Sequence, residues 1–337
     1  MPLTLYVDGP RWRDHLRATL AASPGLVPVA KGNGYGLGLA SLARRSAWLG
    51  CDTVAVGTYA EVPEVERRFA GDIVVMEPWR PYNDASSSSR VIHTLGRDCD
   101  LRDLVARVER PRVVLEGLTS MRRHGFDVEQ LASAKRSARG VRIEGHALHL
   151  PLGGGHLREA ERWLADAPAA RWFVSHLEVD ELAQLQQRHP GLVLRPRVGT
   201  RLWLGERQAL APRATVQDVH PVRRGERVGY RQRAAARDGH ILVVAGGTAH
   251  GIGLEAPPAA ASPRSRAGSV ARGGLLAVGR ALSPFTVAGR QRWFVEPPHM
   301  QVSLVFVPGG TRPPAIGDEI EVQVRYTTTT FDEVRIS

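Results

Sequence analysis

Residue types and spacing first point to chemistry in the segment Val27-Pro-Val-Ala-Lys31-Gly-Asn-Gly-Tyr35-Gly-Leu-Gly38. A run of β-type apolar residues delivers a lysine to its C-terminal end, and the glycines then let the backbone turn tightly. An amine beside apolar groups loses ammonium hydration. Its pKa falls, and the neutral nucleophile needed for Schiff-base chemistry becomes accessible. Tyr35 follows four residues later, with a hydroxyl that could meet an anionic group over the same strand end. On these residues alone, a snorkelling lysine beside a structural tyrosine fits as well. The 45 basic residues include only two lysines, Lys31 and Lys135. A chain that has nearly abandoned lysine yet keeps one in an apolar strand points to a need for the amine.

The elements that must position this lysine alternate along the first two hundred residues. Strands are expected over 26–31, 53–57, 73–76, 91–95, 112–116, 141–149, 172–175 and 193–197. Helices are expected over 39–49, 127–138, 157–165 and 180–188. This alternation implies parallel pairing with helices over the sheet, and eight such units suit a closed (β/α)8 TIM barrel with its site at the strand C-termini. The competing doubly wound sheet would carry a GxGxxG loop after the first strand, and none is present there.

Beyond about residue 210 the pattern turns to strands, expected over 216–221, 227–232, 241–245, 293–295, 302–307 and 319–326, with glycine turn signals between them. The fold class is therefore α/β, a (β/α)8 TIM barrel over 9–210 followed by a mostly antiparallel β-domain over 211–337. Stretches 86–89 and 256–272 read as loops, and 327–330 as a terminal strand.

Composition narrows the function classes. Apolar residues make up 43% and charged residues 23%, ordinary globular usage that excludes a disordered or fibrous chain. No run of 18 apolar residues is present, so no membrane span is expected, and the opening residues, with an early Asp8, do not resemble a secretory signal. Cys51 and Cys99 are too few for a disulfide framework or a four-thiolate zinc site, and no metal is expected. The net charge of +11 comes from dispersed arginines without a basic run, so a solvated surface is favoured over nucleic-acid binding. A cytoplasmic enzyme is the expectation.

The lysine segment resembles the pyridoxal-phosphate motif of alanine racemases, enzymes of fold type III built from a (β/α)8 barrel and a β-domain. Several motifs recur in order over most of the chain. Tyr6-Val-Asp8 resembles the family's opening strand, which implies that residues 1–8 add a strand to the β-domain. Lys31 then matches the Schiff-base lysine, which also serves as one catalytic base, and Tyr35 matches a phosphate-binding tyrosine. Val114-Leu-Glu-Gly-Leu-Thr-Ser-Met121-Arg-Arg-His-Gly125-Phe resembles a family strand and loop, placing Arg123 at the substrate carboxylate. Glu144-Gly-His-Ala-Leu-His149 puts His149 beneath the cofactor, and Phe173-Val-Ser175 puts Ser175 at the phosphate. Arg197-Val-Gly199-Thr200 places Arg197 against the pyridine nitrogen and the Gly199 and Thr200 amides at the phosphate. An independent rule agrees, since barrel phosphate sites often follow strands seven and eight. The resemblance also implies a small amino-acid substrate and a head-to-tail homodimer with shared active sites.

The half of the site that the family takes from a partner subunit is rewritten here. The family's second base is a tyrosine, and Gly247-Thr248-Ala-His250-Gly251 puts Thr248 at that position. A threonine hydroxyl cannot replace a phenol with a pKa near 10. His250 is the candidate second base, although in an extended segment it would sit one step away from the face of Thr248. Glu116 stands where the family has a carbamylated lysine, and Leu118 replaces an aspartate. Met300 keeps the place of a substrate-carboxylate donor, while Gln301 replaces another aspartate. The leading expectation is a pyridoxal-phosphate-dependent amino-acid racemase. The alternatives are one-base chemistry on that cofactor (decarboxylation, elimination or aldol cleavage) and a pyridoxal-phosphate-binding protein without turnover.

Overall fold

The computed structural model describes residues 2–84, 88–254 and 281–337, apart from the side chain of residue 137. The expected loop over 256–272 lies outside these residues, as do two of the four positions of 86–89. The chain divides into two compact units, one formed by Arg11–Glu206 and the other by Met1–Pro10 with Arg207–Ser337.

In chain order, strand β1 (Leu3–Val7) and helix α1 (Gly9–Ala22) come first. The barrel elements are β2 (Val27–Pro28), α2 (Leu39–Trp48), β3 (Thr53–Val56), α3 (Val62–Glu66), β4 (Asp72–Pro78), β5 (Val91–Leu95), α4 (Asp98–Arg107), β6 (Arg112–Gly117), α5 (Val128–Ser137), β7 (Arg142–His149), α6 (His156–Asp166), β8 (Arg171–Ser175), α7 (Val179–Arg188), β9 (Val193–Val198) and α8 (Thr200–Leu204). Strands β2 to β9 pair in parallel, in the order β2-β9-β8-β7-β6-β5-β4-β3. A bridge between Val29 and Ala55 closes the ring. Each of the eight expected strands is present. Helices α1, α3, α4 and α8 come in addition to the expected ones.

Side chains alternate across each strand, so residues two apart share a face. Val27, Val29, Ala55, Val74, Ile92, Val114, Ala147 and Phe173 form one buried cluster drawn from seven strands or their direct extensions, which is the barrel interior. The opposite faces and the helices share a second core that includes Trp79, Leu95, Val113, Leu115, Leu148, Trp163 and Trp172.

The other unit holds an eight-stranded sheet of β1, β10 (Leu210–Val222), β13 (Gly239–Ala245), β14 (Leu282–Val287), β15 (Arg290–Phe294), β16 (Val302–Pro308), β17 (Glu319–Val322) and β18 (Glu333–Ile336). The short pair β11 (Arg227–Val228) and β12 (Arg233–Ala234) stands apart. Pairing is antiparallel except between β1 and β18. Three expectations need correction. The strand expected over 227–232 stops at Val228, the strand expected to run to 326 stops at Val322, and 327–330 is turn and coil preceding β18.

Candidate active site

The two-residue period of the interior places the site. Continuing the inward positions Val27 and Val29 leads to Lys31, Val114 to Glu116, Ala147 to His149 and Phe173 to Ser175. On β9, Arg197 is buried and pairs in register with Val27. These five side chains therefore gather at the C-terminal mouth of the barrel, where barrel enzymes keep their chemistry.

Arg197 is fixed by a hydrogen bond from a terminal guanidinium nitrogen to the Leu148 carbonyl at 2.9 Å, while its buried Nε has no acceptor among the described residues. Glu116 is likewise buried, with Oε2 unpartnered among the described residues. Burial raises its carboxyl to about 7, against the lowering effect of Arg197 and Arg123. His149 Nδ1 and Ser175 Oγ lie 3.1 Å apart, and the Thr119 hydroxyl donates to the His149 carbonyl at 2.6 Å. Burial, reinforced by Arg197 and Arg123, holds the His149 ring down at about 2, so it stays neutral in any ordinary buffer. Arg123 is exposed on the loop after β6. Its charge acts on Lys31, Glu116, His149 and Arg197, which places it at the same mouth.

Lys31 is open to solvent, yet its amine is lowered from the usual range, first by desolvation and then by Arg123, with Arg197 adding to the effect and Glu61 opposing it. Tyr35 is buried in the left-handed conformation (φ 56°, ψ 31°) on a single 3-10 turn, Gly34–Gly36. Its hydroxyl lies against Gly199, where any Cβ would overlap it. Gly199 in turn precedes α8, whose first residue is Thr200. Tyr35, Gly199 and Thr200 thus meet above the ends of β2 and β9.

Thr248, His250 and Met300 belong to the other unit. A 3-10 turn, Thr248–His250, stands where an extended segment was considered. The turn rests on the backbone of the Met300 segment, with Thr248 N–H donating to the His299 carbonyl at 2.8 Å and Ala249 N–H to the Met300 carbonyl at 3.0 Å. Thr248 and Met300 are exposed there, while His250 is buried. Both His250 ring nitrogens are engaged. Nδ1 accepts from Gly247 N–H at 3.2 Å, and Nε2 lies 3.1 Å from Asp332 Oδ1.

Two residues at the barrel mouth went unnoticed in the sequence. His176 adopts φ 63° and sets its ring edge-on to His149 at 5.2 Å. Glu61 accepts hydrogen bonds from Gly32 and Gly57. Its one sequence signal is the Thr58-x-x-Glu61 spacing of a capping box.

Residues 11–191, more than half of the chain, match the family model described as alanine racemase, N-terminal domain. No curated protein matches the sequence significantly. Among solved structures, the fold is similar to alanine racemase from Bartonella henselae with covalently bound pyridoxal phosphate (TM-score 0.72, 17% identity, covering 100% of this chain and 99% of that one). It is also similar to biosynthetic alanine racemase from Pseudomonas aeruginosa (TM-score 0.69, 20% identity, 100% and 99%). Histidine racemase from Leuconostoc mesenteroides subsp. sake is a further likeness (TM-score 0.68, 14% identity, 100% and 97%). At these identities the likeness is one of fold.

Proposed function

The chain belongs to the alanine racemase family, and on that premise we propose that it is a pyridoxal-phosphate-dependent enzyme that moves the α-proton of an amino acid, with Lys31 as attachment point and proton carrier. The observation that carries this reading is the buried guanidinium of Arg197, with an unspent Nε–H, in the same mouth as a lysine of lowered pKa. A donor without an acceptor in a buried site is costly, and an aromatic ring nitrogen would satisfy it. The residues present fit the cofactor. Tyr35, Ser175 and the Gly199 and Thr200 amides would hold its phosphate, Arg197 its ring nitrogen and Lys31 its aldehyde carbon.

When bound, the cofactor withdraws electrons from the substrate's α-carbon and makes that proton removable. The rest falls to the chain. Arg197 is always charged and cannot give up its proton, so it would leave the ring nitrogen unprotonated and the electron sink a weak one. Arg123, exposed at the rim, would bind the substrate carboxylate. Lys31 becomes a competent base because desolvation and neighbouring cations favour its neutral form. His149 stays neutral and would brace Ser175 without supplying a proton.

Racemisation needs a base on each face of the α-carbon. His250 would serve as the second only by giving up its bond to Gly247 N–H or its contact with Asp332. That engagement, together with Thr248 at the tyrosine position, favours a second reading in which protons move on one face alone. Incubation of the yellow, borohydride-reducible holoenzyme with a panel of amino acids in buffered D2O separates the two. Exchange with inversion supports racemisation, and exchange with retention supports the one-face reading. Failure of Lys31 to bind the cofactor would remove both.

A further inference from the structure

We propose that Glu61 is a positioning residue, a carboxylate that ties the ends of two barrel strands together and thereby fixes the backbone that presents Lys31. This rests on the reading of Lys31 as the reactive amine. Strand β2 is only two residues long, and its ladder to β9 covers just Val27 and Pro28. Beyond it, Val29 N–H donates to the Val198 carbonyl at 2.9 Å and Ala30 N–H to the Ala55 carbonyl at 2.8 Å. Just after Lys31 the chain is then held by two further bonds. Gly32 N–H donates to Glu61 Oε1 at 2.6 Å, and Gly34 N–H donates to the Lys31 carbonyl at 3.1 Å. The other Glu61 oxygen accepts from Gly57 N–H at 2.6 Å and Thr58 N–H at 3.2 Å, just past the end of β3.

One carboxylate therefore replaces the rungs that β2 and β3 would share if their ladder ran on. Charge-assisted bonds to backbone N–H groups are stronger than the neutral rungs they replace. A plain capping role for the 3-10 turn Tyr59–Glu61 accounts for the bonds to Gly57 and Thr58. It leaves unexplained why the second oxygen reaches Gly32, 29 residues away in sequence. Packing agrees, because a Cβ at Gly57 would come within 3.0 Å of both Lys31 Cβ and Glu61 Oε2. Position 57 is thus kept bare where the lysine stem and the carboxylate pass. Glu61 is also the acid acting on the Lys31 ammonium, against two arginines.

The test compares Glu61→Ala, Glu61→Gln and Glu61→Asp in the full chain. Two readouts need no turnover: amide hydrogen exchange over 27–38, and the pH dependence of Lys31 acylation located by mass spectrometry. In Glu61→Ala, exchange at the Gly32 amide is expected to rise at least tenfold while the β7 and β8 amides stay unchanged, and affinity for pyridoxal phosphate is expected to fall about tenfold. Glu61→Gln, which keeps length but loses charge, moves the Lys31 titration midpoint downward. Glu61→Asp keeps the charge and the midpoint but is too short to span both strands, so its exchange resembles that of Glu61→Ala. Wild-type exchange in Glu61→Ala together with an unmoved midpoint in Glu61→Gln overturns the proposal. If the parent protein takes up no pyridoxal phosphate, the attachment reading fails while the exchange and titration results still judge Glu61.

Discussion

At the scale of single residues, the barrel mouth is organised around buried charge. Glu116 and Arg197 share a low-dielectric site, and each keeps one polar atom without a partner among the described residues. Burial outweighs the attraction of the arginines and raises Glu116 to about 7. The folded protein thus holds a proton that the unfolded chain releases at an ordinary carboxylate pKa near 4.5. Folding stability must fall as pH rises through the window from about 4.5 to 7, because the native state binds the extra proton. Glu116→Gln lacks this titration. Its stability relative to the parent is expected to climb across that window by roughly 3 kcal/mol at most, measured by urea denaturation at half-unit pH steps. A constant difference between the two proteins from pH 4 to 8 would show that folding leaves the Glu116 pKa at its ordinary value.

At the scale of elements, the site depends on how the first barrel strand is anchored. Trp203 of α8 is buried and donates its indole N–H to the Val29 carbonyl at 2.7 Å, and Trp12 of α1 donates to the Trp203 carbonyl at 3.0 Å. This chain of bonds reaches from α1 through α8 to the residue two positions before Lys31. Trp203→Phe keeps the apolar bulk but leaves the Val29 carbonyl without its donor. A loss of about 1–3 kcal/mol in unfolding free energy is expected, with the thermal transition as the check. An unchanged transition would mean that another group satisfies that carbonyl. The barrel strands were legible because their cores are short, valine-rich apolar runs at regular spacing, such as Val113-Val114-Leu115 on β6 and Val54-Ala55-Val56 on β3. Helices α1 and α4 were not, since α1 carries Arg11, Arg13, Asp14 and Arg17 and α4 opens Asp98-Cys-Asp, and neither shows a wide apolar stripe. The run Thr327-Thr-Thr-Thr330 misled because β-propensity reports a fit to a pleated surface, and among the described residues it pairs with no strand. The short, polar Glu333-Val-Arg-Ile336 is the strand instead, recruited by pairing with β1. Among the site residues, Lys31, Tyr35 and Arg197 announced themselves by motif. Glu61 did not, because its function lies in a contact between distant parts of the chain.

At the scale of the whole molecule, the arginine-rich surface gives a net charge of +11, while His93 on β5 and His146 on β7 lie buried on the outward faces of their strands. Desolvation lowers both His93 and His146 to about 4. Their sign is opposite to that of Glu116. Between pH 4 and 6.5 the unfolded chain takes up protons that the folded barrel refuses, so the stability these histidines contribute is complete above 6.5 and lost as the pH falls. In the parent protein Glu116 cancels part of this slope, which makes Glu116→Gln the cleaner background. There, each of these two histidines should add up to about 1.4 kcal/mol per pH unit to the loss of stability between 6 and 5, at 1.36 kcal/mol per proton, beside the contribution of His149, which refuses its proton as well. His146 is the sharper of the two to remove, because its Nδ1 lies 3.2 Å from the Ala167 carbonyl while its buried Nε2 has no partner among the described residues. Adding His146→Leu to that background should make the slope shallower by up to about 1.4 kcal/mol per pH unit without lowering stability at pH 5. An undiminished slope would mean that His146 is protonated in the folded state, and the acid sensitivity would then have to come from the other buried groups of the barrel.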